Sequence, residues 1–170
     1  MRENRQRNLT RGLLVIYLLV LTWIILFKMQ MNLSYIGSME YRNINLIPFQ
    51  GSAIKNGKID SSEIILNVLA FVPFGVYISM LKENWKWFQK AAPVFFLSFI
   101  YETLQYILAI GASDITDLLG NTLGGLIGIL IFWLLSKILK ENTIKVINVL
   151  AMIGTVCMVL LIGVLIIVNL

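Results

Sequence analysis

There is no histidine anywhere in the 170 residues, and only one cysteine, Cys157. The first absence removes the commonest metal ligand and the usual base of a catalytic triad. The second excludes an intrachain disulfide, and Cys157 itself sits in an apolar run. Charge is scarce as well: Asp, Glu, Lys and Arg make up 14% of the chain against 58% hydrophobic residues. A soluble domain of this size cannot hide so much apolar surface in one core. No long repeat or low-complexity tract is present.

What the chain does have is long apolar segments. Five approach or exceed the roughly 20 residues that cross a bilayer at about 1.5 Å each. They are Gly12–Phe27, Ile64–Leu81, Ala91–Ile110, Leu118–Ser136 and Val146–Val168. The predicted fold is all-α: a polytopic membrane bundle of five transmembrane helices with little soluble mass. Basic residues near segment ends set the orientation. Arg2, Arg5, Arg7, Arg11, Lys82, Lys86, Lys90, Lys137, Lys140 and Lys145 fall on one side, ten of the 14 Lys and Arg. On the other side Lys28, Arg42, Lys55 and Lys58 are largely balanced by Glu40, Asp60 and Glu63. The N-terminus is therefore expected inside and the C-terminus outside. Topology accounts for the net charge of +5, so no nucleic-acid partner is implied; attraction to anionic lipid is secondary. FKMQMNLS, after the first segment, holds no small-x-small cleavage site, so an uncleaved anchor is expected.

Residues 28–63 form the one long loop, placed outside. Its centre mixes an apolar patch, Leu46, Ile47, Pro48 and Phe49, with polar residues and turn formers. Pro48 pushes Ile47 towards an extended conformation, and a surface-lying or partly re-entrant segment is expected there rather than a free tether. In KENWKWFQK, between the second and third segments, Trp85, Trp87 and Phe88 alternate with lysines as an interfacial belt does.

Polar residues inside the apolar runs are the informative ones. On the second segment Asn67 shares a helical face with Phe71, Phe74 and Gly75, and Pro73 withholds a hydrogen bond from the Leu69 carbonyl, predicting a local kink. On the third, Ser98, Glu102 and Gln105 fall at i, i+4 and i+7, one polar stripe on an apolar helix. A carboxyl group at that depth costs about 2.5 kcal/mol or more unless paired or hydrated, so Glu102 must face the bundle interior or a wet cavity. The structural alternative is a glutamic acid bonded to a neighbouring helix or to Gln105. Asp114 and Asp117 flank the outer turn ASDITD, where an acid suits the positive end of the fourth helix; an N-cap fully explains one of the two. Asn121 lies one turn deeper on the face of Asp117. All these residues fall in the outer half of the bilayer. Gly120, Gly124 and Gly128 recur every four residues, with Gly125 beside them, a pattern that admits a second helix at close range. It is expected to press Asp117 and Asn121 against the stripe on the third helix.

NLIPF, NVLAFVPFGVYI, ETLQYIL and DITDLLGNTLGGLIG occur in that order, and together they resemble the VanZ-like family, small bacterial membrane proteins linked to reduced susceptibility to teicoplanin and related lipoglycopeptides. The resemblance runs from about Asn45 to Gly128, with the first helix included by position. Family positions matched are Asn67, Pro73, Gly75, Glu102, Gln105, Asp114, Asp117, Asn121 and Gly124. Many relatives carry an Arg just before the first Asp of the outer turn; Gly111, Ala112 and Ser113 stand here instead. The resemblance implies a VanZ-like membrane domain over 1–136, four helices with the outer loop 28–63. The region 137–170, a cytoplasmic basic loop and a fifth transmembrane helix, lies outside the matched motifs and is expected from apolar length and charge alone. The resemblance also implies a multi-pass protein of the bacterial cytoplasmic membrane.

Two classes of function follow. In the first, Asn67, Glu102, Gln105, Asp114, Asp117 and Asn121 form a ligand-binding pocket at the outer leaflet. It would engage the head of a membrane lipid, a lipid-linked cell-wall precursor or a lipoglycopeptide, without a cofactor and without catalysis. Pro73, Gly75, Gly120, Gly124 and Gly128 would serve structure. In the second, an intramembrane enzyme acts on a lipid-linked phosphorylated substrate. Glu102 is then the candidate catalytic acid or base, and Asp114 and Asp117 would hold a divalent cation. A proton-coupled transporter would need an oligomer at this size, and a structural subunit would need a stoichiometric partner.

Overall fold

The computed structural model describes residues 2–27, 41–49, 54–55, 58–59 and 61–169. The chain is mostly helical, with α1 (Arg2–Phe27), α2 (Ser62–Leu81), α3 (Trp87–Leu108), α4 (Ile115–Leu139) and α5 (Thr143–Asn169). Short strands lie between α1 and α2 and between α3 and α4: β1 (Tyr41–Asn45), β2 (Ile54–Lys55), β3 (Lys58–Ile59) and β4 (Ile110–Asp114). Among the described residues four stretches are long and apolar enough to cross a membrane: Asn4–Leu26, Ser62–Leu81, Trp87–Leu108 and Ile115–Val164. The last spans 50 residues, about 75 Å if it were one helix, and it includes both α4 and α5. A single 3₁₀ turn at Lys140–Asn142 divides it, and Lys140 there adopts φ 48°. These spans, where five apolar segments were expected, make the chain a helical membrane protein.

Glycine sets how closely α2 and α4 approach. A methyl group built on Gly124 would overlap the Val68 carbonyl, and one on Gly128 would overlap the Val72 carbonyl. Gly120 lies against Ile64 with ordinary spacing, its nearest approach being 3.7 Å to that carbonyl. Positions rise together along both helices, so α2 and α4 run parallel. The helix that the small-residue row admits is thus α2, and Asn121 meets Ser98 of the stripe on α3, as expected. Gly125, off that row, faces Val94 of α3 and the backbone beside Gly75 of α2. Contacts between α3 and α4 run in the opposite sense, Val94 with Gly125 and Ser98 with Asn121, which makes that pair antiparallel.

Lipid tails are as apolar as Leu, so dispersion and interhelical hydrogen bonds hold such a bundle. One buried cluster joins Leu21, Ile25 and Leu26 of α1 to Phe71 and Phe74 of α2 and to Val94 and Tyr101 of α3. A second gathers Leu13, Tyr77, Met80, Phe132 and Ile147. Helix α2 continues through Pro73. Four residues before Phe74, the Ala70 carbonyl accepts a short hydrogen bond from the Tyr17 hydroxyl of α1. At the other end of α1, Thr10 donates to Asn148 Oδ1 at 3.0 Å, and Asn148 Nδ2 donates to Gln6 Oε1 at 2.9 Å. That clasp ties α5 to α1. It was not foreseen, because Asn148 stands alone in an apolar segment and carries no charge.

The described residues of the connections before α2 and α4 include paired strands. α3 stops at Leu108, with Ala109 in the left-handed region at φ 54°. Ile110, read from sequence as the end of the third segment, instead begins β4. β4 pairs in parallel with β1, from Tyr41 opposite Ile110 to Asn45 opposite Asp114. At the end of α3 the Ala109 N–H turns back to the Gln105 and Tyr106 carbonyls, and the ladder pairs the strand that follows. Trp85, Trp87 and Phe88 are exposed, as an interfacial belt requires.

Candidate functional site

Ser98, Glu102 and Gln105 are all buried on one side of α3, and each is held by a different element. Ser98 Oγ accepts from Asn121 Nδ2 of α4 at 3.0 Å. Glu102 Oε2 accepts from the backbone N–H of Asp114 at 2.9 Å. Gln105 Nε2 donates to the carbonyl of Ile25 at 2.9 Å, in the last turn of α1, where carbonyls lack helical donors. The stripe therefore ties α1, α4 and β4 together. Gln105 does not serve as the partner of Glu102; its nitrogen is committed to α1.

Asp114 is the N-cap of α4, with Oδ1 accepting from Thr116 N–H at 2.8 Å. Its Oδ2 accepts from Asn45 Nδ2 at 3.1 Å. Thr116 Oγ1 in turn accepts from the backbone N–H of Phe49 at 2.9 Å. The 41–49 segment is thus pinned to the start of α4 rather than tethered loosely, and Leu46, Ile47 and Phe49 lie exposed.

Between α1, α2, α3 and α4 lies a cavity of about 330 Å³. Five of the six residues singled out from sequence line it: Asn67, Glu102, Gln105, Asp117 and Asn121. The sixth, Asp114, stands behind Glu102 and positions it through its amide. Ile24, Ile25 and Leu66 supply apolar wall. Ser62 and Glu63 also line the cavity; sequence reading left Glu63 among loop charges. Its place four residues before Asn67, one turn away on the same helix face, was the available signal.

The lining is rich in acceptors. Glu102 Oε1, Gln105 Oε1 and Asn121 Oδ1 are buried and accept no hydrogen bond within the protein. Buried oxygens of this kind cost about 1–3 kcal/mol each when unmet. Three carboxylates, Glu63, Glu102 and Asp117, line the space, and no Lys or Arg does so among the described residues. Nor does any group of three or more His, Cys, Asp and Glu among the described residues have the disposition to hold a metal ion. A second space of about 290 Å³, between α1, α2 and α5, is apolar apart from the Tyr and Thr side chains at its wall.

Comparison with known proteins agrees with the motif order. The VanZ/LLP1 family model matches residues 14–136. Protein VanZ of Enterococcus faecium is 37% identical over 153 residues, covering 90% of this chain and 90% of that protein. No solved structure matches the chain. With most of the chain inside the family match and a relative this similar along nearly its full length, the protein belongs to the VanZ/LLP1 family.

Proposed function

We propose that the protein holds the polar head of an envelope amphiphile in the cavity beside Glu102, and so lowers susceptibility to teicoplanin-type lipoglycopeptides. The ligand is a lipid-linked cell-wall precursor, a phospholipid or the antibiotic itself, with its tail between helices. The observation that carries this reading is the convergence of Glu102, Gln105 and Asn121 on one cavity with an unmet oxygen each. Family membership supplies the resistance context. The protein is placed in the bacterial cytoplasmic membrane and crosses it five times, N-terminus inside and C-terminus outside. Basic residues at segment ends support this orientation, and parallel α2 and α4 with antiparallel α3 between them support alternating passes. The cavity then opens towards the outer leaflet.

An intramembrane enzyme has less support. Both oxygens of Asp114 already accept bonds from Thr116 and Asn45, and Asp114 does not line the cavity, so the postulated cation pair with Asp117 lacks one member.

The test is Glu102→Gln, which keeps size and one carbonyl oxygen but removes the charge. Expressed in a susceptible host at the wild-type membrane level, this variant is expected to return the teicoplanin inhibitory concentration to that of the empty vector. Full protection by the variant would overturn the proposal.

A further inference from the structure

The chemistry of the cavity wall narrows what the head can be. Glu102 Oε1, Gln105 Oε1 and Asn121 Oδ1 are acceptors without partners, on side chains at least nine-tenths buried. The Gln105 oxygen is fixed as an acceptor because its nitrogen donates to the Ile25 carbonyl. One of the three oxygens belongs to the buried carboxyl of Glu102, and no described Lys or Arg lines the space. A group that satisfies the wall must bring several N–H or O–H donors together with positive charge.

From this complementarity we infer that the site takes an amphiphile whose head is a primary ammonium. The inference rests on the proposed role of the cavity as a head-binding site and specifies the chemistry of that head. A primary ammonium offers three donors and no acceptor, one for each of the three unmet oxygens. A quaternary ammonium has the charge without a donor. A hydroxyl donates without balancing the Glu102 carboxylate, and a phosphate sets a like charge against it in a medium of low dielectric constant, where repulsion is strong. Ile24, Ile25 and Leu66 line the same space and receive the first methylenes of the tail.

The experiment uses full-length protein in phosphatidylcholine nanodiscs, whose own lipid head has no N–H. Radiolabelled dodecylamine is bound at neutral pH, with binding to protein-free discs subtracted. Unlabelled dodecylamine, dodecyltrimethylammonium, dodecanol and dodecyl phosphate then compete. Saturable binding of the amine, about ten-fold or more tighter than any other head, is the expected result, since bonds to charged groups contribute about 1.5–3 kcal/mol each. Glu102→Gln and Asn121→Leu, each checked for wild-type elution and thermal midpoint, are expected to weaken amine binding by about ten-fold. If either variant fails to fold, the other serves. Stronger competition by dodecyl phosphate overturns the ammonium assignment and leaves the head-binding role standing. Absence of saturable binding by every head overturns both. Unchanged amine affinity in a folded variant places the amine elsewhere and refutes the inference.

Discussion

Gly120, Gly124 and Gly128 look equivalent in sequence, and the structure separates them. Take Gly124→Ala. Its new methyl group would lie inside the contact distance of the Val68 carbonyl oxygen and 3.0 Å from Val68 Cα. Those are backbone atoms of a packed helix, so they cannot rotate away as a side chain could, and α2 must shift from α4. Overpacking of this kind costs about 1–3 kcal/mol. Gly120→Ala places its methyl 3.7 Å from the Ile64 carbonyl and 3.8 Å from Val68 Cγ2, an ordinary contact. That variant gains the helix preference of Ala over Gly, about 0.5–1 kcal/mol in water. The assay is the thermal midpoint of detergent-solubilised protein followed by gel filtration. At about 2–4 °C per kcal/mol for a chain of this length, Gly124→Ala should fall by about 2–12 °C, whereas Gly120→Ala should hold or rise. An equal loss for both would refute the packing register between α2 and α4. The fall should also weaken the site, because Asn67 and Asn121 sit on the two helices being driven apart.

Three further outcomes are expected. Asp114→Ala removes the cap of α4 and the bond to Asn45, lowering stability by about 1–2 kcal/mol; Asp114→Asn keeps an acceptor and should recover most of it in the same thermal assay. Asn148→Val leaves Gln6 and Thr10 without their partner on α5, at a cost of about 0.6–1.7 kcal/mol for an interhelical bond in a membrane, and increased protease sensitivity of α5 would report it. Thr116→Val takes away the acceptor for the Phe49 amide, and faster hydrogen exchange at Phe49 than in the wild type is the readout.

Much of the site was legible because its residues are expensive where they stand. A carboxyl group at Glu102 and amides at Gln105 and Asn121 have no reason to lie in apolar helices unless they meet one another, and their helical spacing assigns them to one face. A cap within ASDITD was readable, but not which Asp supplies it: the apolar run begins at Leu118, whereas α4 starts at Ile115 and takes Asp114 as its cap. Other features left no such trace. Which helix the glycine row would meet is a tertiary outcome, since small residues at four-residue spacing invite any neighbour. The pairing of β1 with β4 joins segments almost 70 residues apart and depends on backbone groups that all residue types share. Asn148 escaped notice because one uncharged amide in an apolar run is cheap enough to pass as chance.

Asn45 grips the Asp114 side chain, and the amide of that same residue grips Glu102. Strand β1 is thus two hydrogen bonds away from a carboxyl group of the cavity wall. Whatever seizes the 41–49 segment tugs on Glu102 as well, so an antibody fragment against that segment would act as a remote handle on the pocket without entering it.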